Sequence, residues 1–194
     1  MRSYDASGNL IEFIRQPVYD QIEVFSTGVA FRAFVVPRGQ NAKTTWHTNM
    51  DTSAQLAVPK SHLVDGFRLV PTSKIVDANQ LVYLRSILWD RAWVDFTIGA
   101  LKNYLECPAW YIPAGVGIPG FSDTGGLTTA ATIQQVSNGA PIFGNYLSIR
   151  THPILLPSQQ TFSFTYHVDV ALSAITVTTY LWVVLEGVNG RETM

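Results

Sequence analysis

One segment near the C-terminal end of the chain alternates strictly between apolar and polar side chains, over residues 161–170. The polar members are Ser163, Thr165, His167 and Asp169. The apolar members are Phe162, Phe164, Tyr166, Val168 and Val170. Period-two alternation places one face of a β-strand on a core and the other towards water or a partner. Any fold of this chain must therefore provide a sheet with two different faces.

The same reading predicts further short strands. They lie in residues 21–36, 62–70, 91–98, 102–107 and 176–188, separated by turns rich in glycine and proline. One short helix is expected over residues 77–89, since Asp77 and Gln80 form a capping box before Leu81, Leu84 and Leu88. Many short strands favour a sandwich or barrel. We predict an all-β fold, a single eight-stranded jelly-roll sandwich or barrel.

Residues 113–141 form a separate feature, with six glycines, three prolines and Asp123 as the single charged residue. So long a loop is uncommon in a compact domain unless it is functional or disordered. We predict an ordered, glycine-rich loop that a neighbouring chain covers in part. The predicted organisation is an N-terminal arm (1–20), the jelly-roll domain (21–188) and a C-terminal tail (189–194).

Few residues of the chain carry a charge. Thirteen basic and fourteen acidic residues give 27 charged side chains, or 14%, and a net charge of -1. Soluble domains usually carry about 25%. In residues 180–185 of the last predicted strand both faces are apolar, which indicates a strand that is central or covered on both sides. Together these features predict that much of the surface is buried against other chains.

The chain carries no recognisable catalytic, metal or cofactor motif. His47, His62, His152 and His167 are not at metal-ligand spacing, and Cys107, the one cysteine, lies in no reactive-thiol signature. The acids Asp90, Asp95 and Glu106 could supply a carboxylate pair for glycoside hydrolysis, but the sequence does not pair them. The basic residues are scattered, with none between Lys102 and Arg150, so nucleic-acid binding is not expected. We predict a non-enzyme without cofactor, metal or small-molecule substrate.

Residues 102–115 (KNYLECPAWYIPAG) and the aromatic strand at 180–187 resemble segments of capsid proteins of tailless icosahedral bacteriophages. The resemblance covers roughly residues 21–188. It implies a structural virion protein, made in the host cytoplasm, that packs against copies of itself and other capsid proteins. In several such viruses the shell encloses a membrane, which implies peripheral contact with lipid. Both a major capsid role and a vertex (penton) role remain open.

Two other functions fit a β-sandwich. The first is carbohydrate binding, in which Trp46, Trp89, Trp110 and Tyr111 would stack on sugar rings. The second, less favoured, is a hydrolase that uses the three acids named above.

Overall fold

The computed structural model describes residues 3–4, 10–24, 29–72, 91–100, 102–113, 119–123, 133–137, 144–169 and 179–192. These residues form thirteen strands and one short 3₁₀ helix at Ala109–Tyr111. The strands are β1 Ser3–Tyr4, β2 Leu10–Arg15, β3 Val18–Val24, β4 Ala30–Ala33, β5 Ser61–Thr72, β6 Ala92–Ile98, β7 Lys102–Pro108, β8 Pro119–Asp123, β9 Ile133–Ser137, β10 Leu147–Ser148, β11 Ile154–Leu156, β12 Phe162–Val168 and β13 Thr179–Glu192. The fold is all-β, as predicted.

The larger sheet has seven strands and is built around β13. On one side β13 pairs with β5, and on the other with both β2 and β3. Arg15 pairs with Val188 and Val18 with Leu185, so the register with β13 is the same for β2 and β3. The two strands therefore follow one another along β13 and are interrupted only at Gln16 and Pro17. Strands β10 and β11 pair in the same way with the far side of β5.

The smaller sheet has four strands in the order β4-β12-β6-β7, all antiparallel. The two sheets pack face to face as a β-sandwich, with the aromatic side chains of both in the core. Phe67 of the larger sheet lies 5.3 Å from Phe96 and 6.4 Å from Phe164 of the smaller one, between ring centroids. Each such buried side chain contributes about 1.5–3 kcal/mol to stability.

A buried ion pair attaches the segment after β4 to the larger sheet. The Asp20 side chain is fully buried and accepts hydrogen bonds from the Phe34 backbone N–H (2.6 Å) and from Lys43 Nζ (2.6 Å). Phe34 has a φ of 68°, in the left-handed region. The Asp20 carboxylate compensates for this backbone conformation and fixes residues 34–50 along the outer edge of β3, where Asp20 and Thr48 form a β-bridge.

Several strand predictions are confirmed. The alternating segment is β12, with Phe162, Phe164, Tyr166 and Val168 buried. Predicted strands also coincide with β5, β6, β7 and β13, and the region 21–36 contains the end of β3 and all of β4. The expected count of eight strands is not confirmed, because the described residues contain thirteen segments.

Other predictions concern the division of the chain and its loops. The predicted domain boundaries at 20/21 and 188/189 stay predictions; in the structure these positions fall within β3 and β13. Within the predicted loop 113–141, β8 and β9 form an antiparallel hairpin. The predicted helix over residues 77–89 lies outside the described residues.

Candidate assembly surface

The outer face of the larger sheet is apolar along the first half of β13. Leu181, Val183 and Leu185 point into the core. The alternate residues Tyr180, Trp182 and Val184 therefore point outwards, and Tyr180 is 41% exposed. The strand is central, as its sequence predicted. Its outer face, however, is left in contact with solvent in the isolated chain.

Trp46 extends this apolar face beyond the strands. Its side chain is 73% exposed and lies edge-on to Trp182, with ring centroids 6.0 Å apart and an interplanar angle of 85°. Trp182 Nε1 donates to the Trp46 carbonyl oxygen at 3.4 Å. The turn that carries Trp46 is held by hydrogen bonds between Thr44 and His47. The tryptophan is thus held in place by its own chain, and a partner would not have to order this turn.

A second apolar region lies at the other end of the same face. Register places Val188, Leu63 and Leu155 beside one another on β13, β5 and β11, all pointing outwards. Leu63 is 39% exposed and Leu155 is 58% exposed. Phe13 on β2, two residues before the register partner of Val188, is 53% exposed. We name these four residues the apolar row.

Charged groups separate the two apolar regions, and they are only partly neutralised within the sheet. Asp65 pairs with Arg15, the register partner of Val188, at 3.3 Å and with Arg150 at 3.4 Å, which leaves one positive charge in excess.

A second charged pair lies at the centre of the face. Arg68 Nε donates to Glu186 at 2.5 Å, and both side chains are nearly buried. The Arg68 guanidinium lies 5.1 Å from the centre of the Tyr146 ring. Gly66 makes room for that ring, since a Cβ there would lie 2.2 Å from it. The centre of the face is therefore a packed, preorganised surface.

The outer face of the smaller sheet has a different character. Trp93 and His167 stack at 3.8 Å between ring centroids and 6° between planes, and His167 Nε2 lies 2.5 Å from Asp95 Oδ2. Asp95 and Glu106 are register partners on β6 and β7. Two of the three predicted acids are thus neighbours, but one oxygen of Asp95 is occupied by His167. Asp90 lies outside the described residues.

The remaining predicted residues are dispersed. His62 is buried, with its ring nitrogens 2.8 Å from Asn189 Oδ1 and 3.3 Å from the Leu185 carbonyl oxygen, and burial lowers its pKa. His47 and His152 lie in turns. Cys107 is partly buried, and this burial raises its pKa to about 11, which disfavours the reactive thiolate. No three metal-ligating side chains come together in the part of the chain that the structure describes.

The described aromatic residues among those predicted for sugar stacking do not form one platform. Trp110 and Tyr111 are neighbours on the 3₁₀ helix, 58% and 55% exposed, with rings 6.1 Å apart and nearly perpendicular. Trp46 lies on the larger sheet instead, against Trp182. Trp89 lies outside the described residues.

Comparison with known proteins adds no relative. No protein-family model matches the chain, and neither the curated proteins nor the solved structures contain a match. Among the described residues no helix is long and apolar enough to cross a bilayer.

Sequence reasoning missed the apolar row and the buried Asp20. The row needs one residue from each of four strands, so no single segment displays it. Asp20 occupies an inward position of β3, like Val18, Ile22 and Val24. It is the one charged residue among these apolar inward positions, and this exception in the sequence could have indicated a buried ion pair.

Proposed function

We propose that this chain is a jelly-roll shell subunit of a tailless icosahedral virus and that it assembles through the outer face of its larger sheet. It would be a virion component, made in the host cytoplasm, with copies of itself and other capsid proteins as partners. The observation that carries the proposal is the pair of apolar regions on this face, one formed by the apolar row and the other by Tyr180, Trp182 and Trp46. A solvent-facing sheet surface usually carries polar residues in alternation with the core.

The strand order supports a jelly roll. The two sheets reduce to eight strands if β2 with β3, and β10 with β11, are each counted as one strand and β1, β8 and β9 are left out. When these eight strands are numbered in chain order, their spatial order is one-eight-three-six in the larger sheet and two-seven-four-five in the smaller sheet. Eight strands in two sheets with this kind of crossing connection are typical of a double Greek key.

The low charge supports burial of the flanks. With 27 charged side chains in 194 residues, the chain is poorer in ions than a soluble monomer usually is. Exposed apolar patches beyond a few hundred Å² mark interaction surfaces. Subunit interfaces that are permanent are large and apolar.

Assembly can be tested with one outward-facing substitution. We expect the purified chain, alone or with other proteins of the same virus, to form capsomers or shells by light scattering and electron microscopy. Leu155→Glu should abolish these particles, while unfolding stability changes by about 0.5 kcal/mol or less, as for other surface positions. Val29→Glu is the matched control, since Val29 is 57% exposed but precedes β4 in the other sheet. The proposal would be contradicted if the wild-type chain stayed monomeric at high concentration, both alone and together with other proteins of the same virus.

A carbohydrate-binding function is the second candidate, and the exposed pair Trp110 and Tyr111 favours it. Aromatic side chains at a strand end can stack on sugar rings. Glycan binding that is lost in Trp110→Ala with the fold intact would support this function. A glycan array without any signal would exclude it.

A further inference from the structure

A cleft of about 290 Å³ opens beside the point where β2 meets β3. Its apolar lining includes Val18, Met50 and Leu56, which are buried, and its polar lining includes Arg38, Asp51 and Lys60. The volume corresponds to about ten water molecules at ~30 Å³ each. This size suits a ligand no larger than a monosaccharide with one substituent.

The charged groups of the cleft leave one positive charge in excess. Arg38 donates to Asp51 Oδ1 at 2.5 Å and Lys60 Nζ donates to Asp51 Oδ2 at 2.6 Å. Both cations remain about half exposed, at 47% and 51%. An arginine has five N–H donors and a lysine three, so each keeps donors for a second carboxylate. The cleft is therefore electrostatically suited to a ligand with a single negative charge.

Neutral polar groups complete the lining. Asn189 Nδ2 donates to Gln16 Oε1 at 3.3 Å, and Asn189 Oδ1 lies 2.8 Å from the buried His62. This chain of contacts orients the Gln16 amide, which also lines the cleft. Gln55 and Thr45 also line the cleft. Amides and hydroxyls both donate and accept, and they match the hydroxyl groups of a sugar.

We propose that this cleft binds a monosaccharide-sized sugar acid, with its carboxylate on Arg38 and Lys60 and its hydroxyls on Gln16 and Gln55. The apolar floor formed by Val18, Met50 and Leu56 would contact the C–H groups of the sugar ring. Such a site would recognise acidic glycans beside the outer face used for assembly, since Thr45 lines the cleft and precedes Trp46. The proposal does not depend on the shell function.

The probes are D-glucuronate, D-galacturonate and N-acetylneuraminate, tested by saturation-transfer NMR and titration on the full chain. At about 10 mM, tenfold above a millimolar dissociation constant, at least one acid should bind. D-Glucose, which lacks the carboxylate, and acetate, which lacks the ring, should each bind at least about tenfold more weakly, a loss of about 1.4 kcal/mol. No binding by any of the three acids, or equal binding of glucose and glucuronate, would overturn the proposal.

Two substitutions with opposite expected effects keep the test independent of folding. Lys60→Gln should weaken binding of the acid at least fivefold. Asp51→Asn should strengthen it, because both cations lose their competing carboxylate. Arg32→Gln removes an exposed arginine of β4 outside the cleft and should leave binding unchanged. Circular dichroism checks the fold of each variant, and equal affinities of Lys60→Gln and the wild type would refute the assignment.

Discussion

Trp93 and His167 form a face-to-face ring stack on the outer face of the smaller sheet, with centroids 3.8 Å apart. They are cross-strand register partners on β6 and β12. The Nε2 atom of the His167 imidazole lies 2.5 Å from Asp95 Oδ2. We expect the two rings to be energetically coupled by about 0.5–1.5 kcal/mol. A double-mutant cycle of Trp93→Ala and His167→Ala in chemical denaturation measures this term. Trp93→Ala combined with Thr97→Ala should be additive, and an uncoupled stacked pair would contradict the expectation.

Lys43→Met should destabilise the chain by about 3 kcal/mol, because it leaves the buried Asp20 carboxylate without its cation. Burial raises the pKa of Asp20, while hydrogen bonding and charge from Lys43 oppose the rise. A raised carboxyl pKa means that the native state holds the proton more tightly than the unfolded chain, so this contribution to stability falls as pH rises through the folded pKa. Without Lys43 the pKa rises further. The loss in free energy of unfolding should therefore be larger at about pH 8 than at about pH 5.

Lys60→Met is the matched control for that experiment. Lys60, first through its hydrogen bond, lowers the pKa of Asp51, and the lysine is about half exposed. Its removal should cost no more than about 1 kcal/mol. Because Asp51 stays ionised above its ordinary pKa, that cost should be the same at both pH values. A pH-independent deficit in Lys43→Met would show that Asp20 does not titrate in this range.

Three glycines should differ in their tolerance of a methyl group. A Cβ at Gly187 would lie 2.0 Å from the Leu63 backbone oxygen. A Cβ at Gly66 would lie 2.2 Å from the Tyr146 ring and 2.8 Å from the Leu147 backbone oxygen. The closest atom at Gly187 is a backbone atom, which cannot move aside as a side chain can, so Gly187→Ala should cost more than the ~1–3 kcal/mol typical of overpacking that we expect for Gly66→Ala. Gly144→Ala, with open space around it, should be neutral, and Tyr146→Ala should relieve Gly66→Ala only in part, because the Leu147 oxygen remains close.

Cys107 should be nearly inert towards thiol reagents in the native chain. Burial raises its pKa to about 11, so about one molecule in a thousand carries the thiolate at pH 8. Labelling with a chromogenic disulfide should be slow in buffer and fast in denaturant, where the pKa returns to its ordinary range. Complete labelling of the folded chain within the first minutes would contradict this assignment.

The sequence predicted the features that a single segment displays. The alternation of residues 162–168 identified β12, and the apolar segment 180–185 identified the central strand β13. Consecutive residues of a strand face opposite sides of the sheet, so the sequence of one segment shows whether one face or both are buried. Features made by distant residues were missed. No single segment shows that β2 and β3 follow one another along the same partner, because only the register of β13 joins them. Asp20 meets Lys43 only after the chain has turned back along β3.

The centre of the larger sheet is occupied by the last of the thirteen strands. Strand β13 pairs with β2, β3 and β5. These three strands therefore lack this partner until translation has passed residue 192. The outward residues of β13 likewise join the apolar face only then. A ribosome-bound intermediate therefore has unpaired edges on β2, β3 and β5, and half-made chains with this strand order are exposed to premature association until β13 pairs.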